Sequence, residues 1–267
     1  MTNTYLSLKE EEARILNSLD LYFRELAMQI GAVEFHIPSL IDYHVLEKCG
    51  YFSSFPNQLI LAARANPDMY KNVIDEKKIA YESALISNKY FTPSACLHVY
   101  QMLENEDLES KVVTAKARVY RYEEDNADGV TRLWDFTVRE IVFFGKNNYV
   151  SEILNHMKQK TVDYATYIGL PLKIITASDN FYPNKKNELK KRMQAANALK
   201  FEAVVPINGN DVALASFNFH NTHFSKPFNF DKNGQIVTGC VGFGLERWLA
   251  ALNEYNINAG HTYGEDI

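Results

Sequence analysis

The chain has 267 residues, of which 46% are hydrophobic and 23% are charged, and its formal net charge is −5. These proportions are ordinary for a globular protein, and the acidic balance gives no electrostatic footprint for non-specific nucleic-acid binding. The longest apolar runs, such as 60–63, are far too short to span a bilayer, and the N-terminus has neither region of a signal peptide. We therefore expect a cytoplasmic protein with no membrane partner.

The first element is predicted to be a helix. Ser7 with Glu10 has the pattern of a capping box, and apolar residues then recur at helical spacing from Ile15 onward. Gly31 is a favourable residue to end this helix. The following segment, 35–59, is rich in proline, glycine and aromatic residues, and we expect irregular structure around a short strand and a turn of helix.

A long antiparallel hairpin is predicted next, with strands at 111–123 and 132–144 joined by a polar loop. Because side chains alternate between the two faces of a strand, four charged residues share the apolar face of this hairpin: Arg121, Glu123, Arg132 and Glu140. Charged groups in such a position are costly unless something pairs with them. This anomaly is the first indication of a functional site.

Helices and strands then alternate to the C-terminus. Helices are predicted at 151–168 and 185–199, and strands at 172–177, 201–207, 211–220 and 235–241. The final strand is expected to turn through Gly242 and Gly244 into another helix. Long antiparallel-type strands without a βαβ rhythm predict an α+β fold. We expect one domain over 1–267, with an N-terminal helix in 1–34 and a helical insertion at 150–200.

Three cysteines, Cys49, Cys96 and Cys240, are too few for a disulfide framework. Each is therefore either a buried small hydrophobic residue or part of a metal site. His220 and His223 offer a rival metal site, but residues three apart in a strand point to opposite faces. We interpret these histidines as substrate-pocket or structural groups.

Three segments resemble, in order, the three signature motifs of class II aminoacyl-tRNA synthetases. Pro38 in HIPSLI resembles the motif 1 proline of the dimer interface, YRYE–loop–RLWDF resembles motif 2, and GFGLER at 242–247 resembles motif 3. The resemblance implies a class II synthetase-like antiparallel sheet flanked by helices. It also implies a homodimer.

The resemblance further implies a site for ATP with Mg²⁺, formed by Arg121, Glu123, Arg132, Phe136 and Arg247. Activation of a carboxylate by ATP adds negative charge at the α-phosphate, which fixed guanidinium groups stabilise. Arg121 and Arg247 are the expected catalytic residues, while Phe136 would stack on adenine and Arg132 would reach the outer phosphates. The alternative is a structural hairpin in which Arg121–Glu123 and Arg132–Glu140 are cross-strand ion pairs.

A closer resemblance covers about 46–252. Strings such as TPSACLHVY, SFNFHNTHF and CVGFGLERW are similar to amino acid–carrier protein ligases, which are truncated homologues of zinc-dependent archaeal-type seryl-tRNA synthetases. This resemblance implies one Zn²⁺ per subunit, held by Cys96, Glu140 and Cys240. Three protein ligands leave one tetrahedral position open, which suits the α-amino group of a small amino acid. Otherwise Cys96 and Cys240 are core thiols, the role that we assign to Cys49.

Three further residues are expected to bind substrate: Glu202, Ser216 and Asn218. Synthetases of this class often carry an acidic metal-binding residue five or six positions before that asparagine. Val212 and Ala213 stand at those positions here, and Asp211 or Glu202 could substitute. The sequence therefore does not identify the residue that holds the Mg²⁺ of ATP.

The acceptor of the activated amino acid is expected to be the phosphopantetheine thiol of an acidic carrier protein. Seryl-tRNA synthetases carry a long helical arm that grips tRNA, whereas here a single helix precedes His36, which argues against tRNA. The basic segment 185–200 is a candidate docking face, or simply a solvated helix. Two alternatives stay open: aminoacyl transfer to tRNA or a small-molecule acceptor, and a non-catalytic synthetase paralogue.

Overall fold

The computed structural model describes residues 4–123, 127–231 and 233–257. Within these ranges the helices are α1 (Glu10–Gln29), α2 (Tyr43–Lys48), α3 (Tyr51–Ser54), α4 (Tyr70–Glu76), α5 (Cys96–Met102), α6 (Asn147–Tyr167), α7 (Lys185–Ala196), α8 (Ser225–Phe228) and α9 (Leu245–Glu254). The strands are β1 (Val33–Glu34), β2 (Leu40–Asp42), β3 (Leu61–Ala65), β4 (Ala84–Phe91), β5 (Lys111–Tyr120), β6 (Asp135–Gly145), β7 (Lys173–Thr176), β8 (Lys200–Ile207), β9 (Asn210–Asn221) and β10 (Val237–Gly244).

In the described ranges, the strands form a seven-stranded sheet in the order β1-β5-β6-β10-β9-β8-β7 and a three-stranded sheet in the order β2-β4-β3. The short β1 runs parallel to β5, and the other neighbouring strands are antiparallel. This arrangement confirms the α+β fold with an antiparallel sheet flanked by helices. The interval 150–200, predicted as a helical insertion, also contains β7 at the sheet edge.

Helices α1, α6 and α9 cover one face of the large sheet and share its main apolar cluster. Phe23 of α1, for example, stacks on Phe243 of β10 with ring centroids 3.9 Å apart. Helices α2, α5 and α8 pack with Val142 and Cys240 in a second apolar cluster, which lies on the opposite face. The functional residues described below lie on that second face, where the cover is partial.

The ends of several elements differ from the prediction. Helix α1 begins after Lys9, whose backbone N–H donates to Glu12, so the predicted Ser7–Glu10 capping box is wrong by two residues. Gly31 ends the helix with a φ of +79°, as predicted. No helix in the described ranges is both long and apolar enough to cross a membrane.

The predicted hairpin is shorter than its alternating pattern suggests. Its strands end at Tyr120 and resume at Asp135, which leaves Arg121, Glu123 and Arg132 beyond the ladder. The cause is Asp128, whose carboxylate accepts hydrogen bonds from the backbone N–H groups of 130, 131 and 132 at 2.7–2.8 Å. Such side-chain bonds compete with strand pairing.

Candidate active site

Two adjacent rows of side chains cross the large sheet on the face opposite α1. Directly opposed residues on antiparallel strands share a face, as do residues two apart along one strand. The first row contains Glu202, Ser216, Gly242 and Glu140. The second contains Lys200, Asn218, Cys240 and Val142. The sheet therefore brings together most of the predicted substrate-binding and metal-binding residues.

Cys96 joins this face from the first residue of α5. The Glu140 carboxylate accepts hydrogen bonds from the backbone N–H groups of Ala95 (3.0 Å) and Cys96 (2.8 Å). Ser94 adds a hydroxyl hydrogen bond to the same carboxylate at 3.0 Å. Glu140 thus holds the start of α5 against the sheet, and the contact places the three predicted metal ligands in one buried cluster.

The two thiols of this cluster differ in acidity. Their mutual hydrogen bond is the main reason why the pKa of Cys240 lies well below its usual range and that of Cys96 well above it. Burial, followed by the charge on Cys240, raises the pKa of Glu140. The cluster therefore contains three ionisable groups that are all removed from water.

The donor chemistry of this cluster fits a zinc ion, since Zn²⁺ takes thiolate and carboxylate ligands. In the part of the chain that the structure describes, however, no three His, Cys, Asp or Glu side chains are arranged as a metal-binding group. Both oxygens of Glu140 instead accept hydrogen bonds from residues 94–96, where α5 begins. Cys96, Glu140 and Cys240 are the residues that would hold the ion. Cys49 is buried in the second apolar cluster, as predicted.

His220 also contacts the cluster. Its Nε2 lies 3.7 Å from Sγ of Cys240, and its Nδ1 lies 3.3 Å from the Tyr100 hydroxyl and 3.2 Å from the Thr238 hydroxyl. Asn218 donates to the same sulfur at 3.5 Å. Sequence spacing could not reveal this contact, because His220 and Cys240 belong to different strands.

The predicted nucleotide residues are held by backbone carbonyl groups. Arg247 donates to the carbonyls of Thr131 (2.7 Å) and Ala213 (3.0 Å). Arg121 donates to the carbonyl of Pro93 at 2.9 Å, and its guanidinium carbon lies 5.5 Å from the ring centroid of Phe136. Both guanidinium groups therefore have fixed positions on rigid parts of the fold.

The predicted charged groups also lie within electrostatic reach of one another. Burial lowers the pKa of Arg247, and repulsion from Arg121 and Arg132 adds to this effect, while Glu123 and Glu202 oppose it. Arg132 lies 3.5 Å from Glu123 and is half exposed. The alternative Arg132–Glu140 ion pair is wrong, because Glu140 bonds to α5.

The basic segment 185–200 divides into two parts. Lys200 begins β8 and is buried, with its ammonium 2.7 Å from Asp179 and 3.1 Å from Glu202, so it does not belong to a docking face. Lys190 turns inward and donates to the Ser54 hydroxyl at 2.9 Å. Four basic residues of α7 stay exposed: Lys185, Lys186, Lys191 and Arg192.

The two candidates for a substitute acidic residue also differ. Asp211 is exposed and pairs with Pro206 near the turn between β8 and β9, away from the two rows. Glu202 lies in the first row, within electrostatic reach of Arg247. Of the two, Glu202 therefore lies with the other predicted substrate-binding residues.

Sequence comparison identifies the family to which the chain belongs. A family model described as "tRNA synthetase class II core domain (G, H, P, S and T)" matches residues 80–256. A type-2 serine–tRNA ligase of Methanococcus aeolicus is 28% identical over 255 residues, covering 86% of this chain and 48% of that protein. An amino acid–acyl-carrier-protein ligase 1 of Bradyrhizobium diazoefficiens is 26% identical over 249 residues, covering 90% of this chain and 74% of that protein.

Solved structures show the same fold. The M. kandleri SerRS, crystallised with A. aeolicus tRNASec, superimposes with a TM-score of 0.78 at 19% identity and covers 96% of this chain and 53% of that one. The cytoplasmic serine–tRNA ligase of Naegleria fowleri, in complex with AMP, gives a TM-score of 0.70 at 12% identity, covering 92% and 50%. The chain spans about half the length of the serine–tRNA ligases that it matches.

Proposed function

Since the chain belongs to the class II tRNA synthetase core-domain family, we propose that it activates a small amino acid with ATP and transfers it to the phosphopantetheine thiol of an acidic carrier protein. The observation that carries the proposal is the arrangement of Arg121, Phe136 and Arg247 at one end of the rows that contain Glu140, Asn218 and Cys240. One continuous face thus offers groups suited to a nucleotide and groups suited to an amino acid.

In the first step, a carboxylate oxygen of the amino acid attacks the α-phosphate of ATP and the bond to the β-phosphate oxygen breaks. The products are an aminoacyl-adenylate and pyrophosphate. Arg121 stabilises the negative charge that develops at the α-phosphate, and the Phe136 ring stacks on adenine with Arg247 on the other side. Because backbone carbonyls already hold both guanidinium groups, little reorganisation is needed when charge develops.

In the second step, the carrier thiol attacks the acyl carbon, the bond to AMP breaks, and the thiol proton is released. The products are an aminoacyl thioester and AMP. A zinc ion held by Cys96, Glu140 and Cys240 would act as a Lewis acid that coordinates the α-amino group of the amino acid. Asn218 lies beside Cys240, and Gly242 separates Ser216 from Glu140, so Asn218 and Ser216 would line the space for a small side chain.

The choice of acceptor draws support from the similarity to the amino acid–acyl-carrier-protein ligase and from the exposed basic face of α7. A second candidate is tRNA, since several relatives are serine–tRNA ligases and the M. kandleri SerRS was crystallised with a tRNA. The expectation that tRNA is not the acceptor therefore has no support from these relatives.

We also propose a homodimer. Pro38 lies between β1 and β2, and the neighbouring Val33 and Leu40 are both more than 40% exposed, which leaves apolar surface for a second copy. Sedimentation equilibrium tests this proposal, and a monomer at micromolar concentration would contradict it.

The main experiment is ATP–pyrophosphate exchange across a panel of amino acids, with zinc analysis of the same preparation. We expect exchange with a small amino acid such as glycine, alanine or serine. Arg121→Ala should abolish it, while Arg64→Ala, at an exposed position of β3, should not. Absence of exchange with every amino acid would overturn the enzyme proposal, and full exchange in zinc-free protein would overturn the zinc site. Cys96→Ser should lose the zinc ion. Cys49→Ser, which changes the cysteine outside the predicted site, is its control and should retain the ion.

The acceptor is tested by charge reversal on α7. Lys186→Glu with Arg192→Glu should raise the KM for an acidic carrier protein without changing pyrophosphate exchange. The matched control reverses Lys77 and Lys78, which are exposed just beyond α4. Carrier kinetics that are equal in both variants would contradict docking on α7. Charging of tRNA in place of the carrier would favour the second candidate.

A further inference from the structure

We propose that His220 is a positioning residue for the metal site, because it donates its Nε2 hydrogen to the Cys240 thiolate and thereby holds that sulfur in place for the ion. This inference rests on the zinc site of the proposed function. It adds a residue outside the set Cys96, Glu140 and Cys240, and it assigns to that residue a defined tautomer.

The geometry comes from two neighbouring strands. His220 lies on β9 and Cys240 on β10, with Nε2 and Sγ 3.7 Å apart, within the range of a hydrogen bond to sulfur. On the other side of the ring, Nδ1 lies 3.3 Å from the Tyr100 hydroxyl and 3.2 Å from the Thr238 hydroxyl. Both ring nitrogens thus have polar partners in a partly buried setting.

These partners define the tautomer. A neutral imidazole has one donor nitrogen and one acceptor nitrogen, and a thiolate can only accept. Hydroxyl groups can donate, and burial raises the pKa of Tyr100, so its hydroxyl keeps its proton. Because a zinc-bound cysteine is a thiolate, Nε2 carries the hydrogen that points at Cys240, and in a neutral ring a hydroxyl group then donates to Nδ1.

The ring is also fixed sterically. His220 meets the edge of Phe224 at 4.9 Å, and Phe224 stacks on Tyr100 at 4.3 Å, measured between ring centroids. With Asn218 at 3.5 Å, the sulfur of Cys240 has two N–H donors that come from one strand. Partners that orient a metal ligand in this way typically change metal affinity by about 10- to 100-fold when removed.

The test compares His220→Asn with His220→Gln. The amide nitrogen of glutamine reaches the position of Nε2 and can still donate to Cys240, whereas that of asparagine reaches only the position of Nδ1. We measure the Kd for Zn²⁺ by competition with a chromophoric chelator, using the full chain. We expect His220→Asn to weaken zinc binding about 10- to 100-fold and His220→Gln to stay within about threefold of the unmodified protein.

His223→Asn is the matched control, since His223 lies three residues further on and its ring also meets the ring of Phe224. Zinc affinity in His220→Asn equal to that of the control would overturn the role of His220. If the unmodified chain binds no zinc, the zinc proposal fails and this one with it. If His220→Asn does not fold in a thermal melt, Tyr100→Phe combined with Thr238→Val replaces it, because both hydroxyl groups lie at Nδ1. Unchanged zinc affinity in that variant would refute the assigned tautomer.

Discussion

Both carboxylate oxygens of Glu246 accept hydrogen bonds from the backbone N–H of Thr137, at 2.9 and 2.8 Å. The last residue pair between β6 and β10 is Val138 with Gly244, after which β10 turns into α9. Thr137 is therefore the first residue of β6 that has no partner on β10. The Glu246 carboxylate therefore takes the place of a backbone acceptor on β10 for the N–H of Thr137. Because Phe136 precedes Thr137 and Arg247 follows Glu246, this contact sets the spacing of two predicted nucleotide-binding groups.

We expect Glu246→Gln to raise the KM for ATP more than the KM for the amino acid. A glutamine amide group presents a donor where one of the two acceptors stood, and loss of a hydrogen bond to a charged group costs about 1.5–3 kcal/mol of folding stability. Pyrophosphate exchange and urea unfolding measure the two effects. Glu254→Gln, at the exposed end of α9, is the control. Equal changes in both Michaelis constants would contradict the spacing role.

The N-terminal segment 4–8 should also support the nucleotide end. The backbone N–H of Trp134 donates to the carbonyl of Thr4 at 2.7 Å, and the carbonyl of Trp134 accepts from the N–H of Arg121 at 2.9 Å. Removal of residues 1–6 should raise the KM for ATP about fivefold, since one hydrogen bond contributes about 1 kcal/mol. Tyr5→Ala should have no such effect, because the Tyr5 side chain is 62% exposed. An unchanged KM after truncation would contradict this role.

Stability should fall with acid because of His98. Burial lowers the pKa of His98 to about 4, and its Nε2 lies 2.7 Å from the Thr92 hydroxyl. As pH falls through 6.5, the unfolded chain binds a proton that the folded chain refuses, so stability is lost between about pH 6.5 and 4. From pH 7 to pH 5 this contribution is about 2 kcal/mol.

Urea unfolding of His98→Gln measures this contribution as a smaller loss of stability between pH 7 and pH 5. His156→Gln, at an exposed position of α6, should keep the full pH dependence. The same slope in both variants would show that His98 is protonated in the folded protein.

Removal of Asp20 should cost more stability than removal of its partner Arg139. The buried Arg139 is 2.8 and 3.0 Å from the two carboxylate oxygens of Asp20 and 2.8 Å from Glu34. Asp20→Asn leaves the buried guanidinium with Glu34 as its only anion, and the loss of hydrogen bonds to a charged group costs about 1.5–3 kcal/mol. In Arg139→Met, Asp20 still forms an ion pair with Lys116, and Glu34 still forms one with Arg24. Neither carboxylate is left without a cation, so this variant should lose less stability.

Thermal and urea unfolding give the order of the two variants. Glu25→Gln breaks only the exposed Arg24–Glu25 pair and should cost less than about 1 kcal/mol. A larger loss in Arg139→Met than in Asp20→Asn would reverse the proposed order.

Local patterns in the sequence were sufficient for most of the seven-stranded sheet and its covering helices, but no elements were predicted between 60 and 110. Alternation predicted the strands around Glu140 and Asn218, and helical spacing predicted α1 and α6 within a few residues. The ends of the hairpin were not predictable, because the Asp128 side chain captures backbone groups that the alternating pattern assigns to a strand. Alternation describes faces, whereas the end of a strand depends on competing hydrogen bonds.

Contacts between distant elements were the least predictable. The cluster of Cys96, Glu140 and Cys240 came from a family resemblance, since no local spacing links them. The contact between His220 and Cys240, and the burial of Lys200 between Asp179 and Glu202, depend on strand register. A register shift of one residue would turn these side chains to the other face of the sheet, and the pattern within a single strand does not determine its register with its neighbours.

Strand β10 carries Cys240 near the amino-acid end and leads through Gly244 to Arg247 at the nucleotide end. At roughly 3.3 Å per residue, Cys240 and Gly244 are about 13 Å apart, and neighbouring strands on both sides hold that length. The length of β10 would thus set the distance between the two proposed substrates. Substitutions around Cys240 should therefore affect only the proposed amino-acid end, whereas an insertion within the strand should displace both ends.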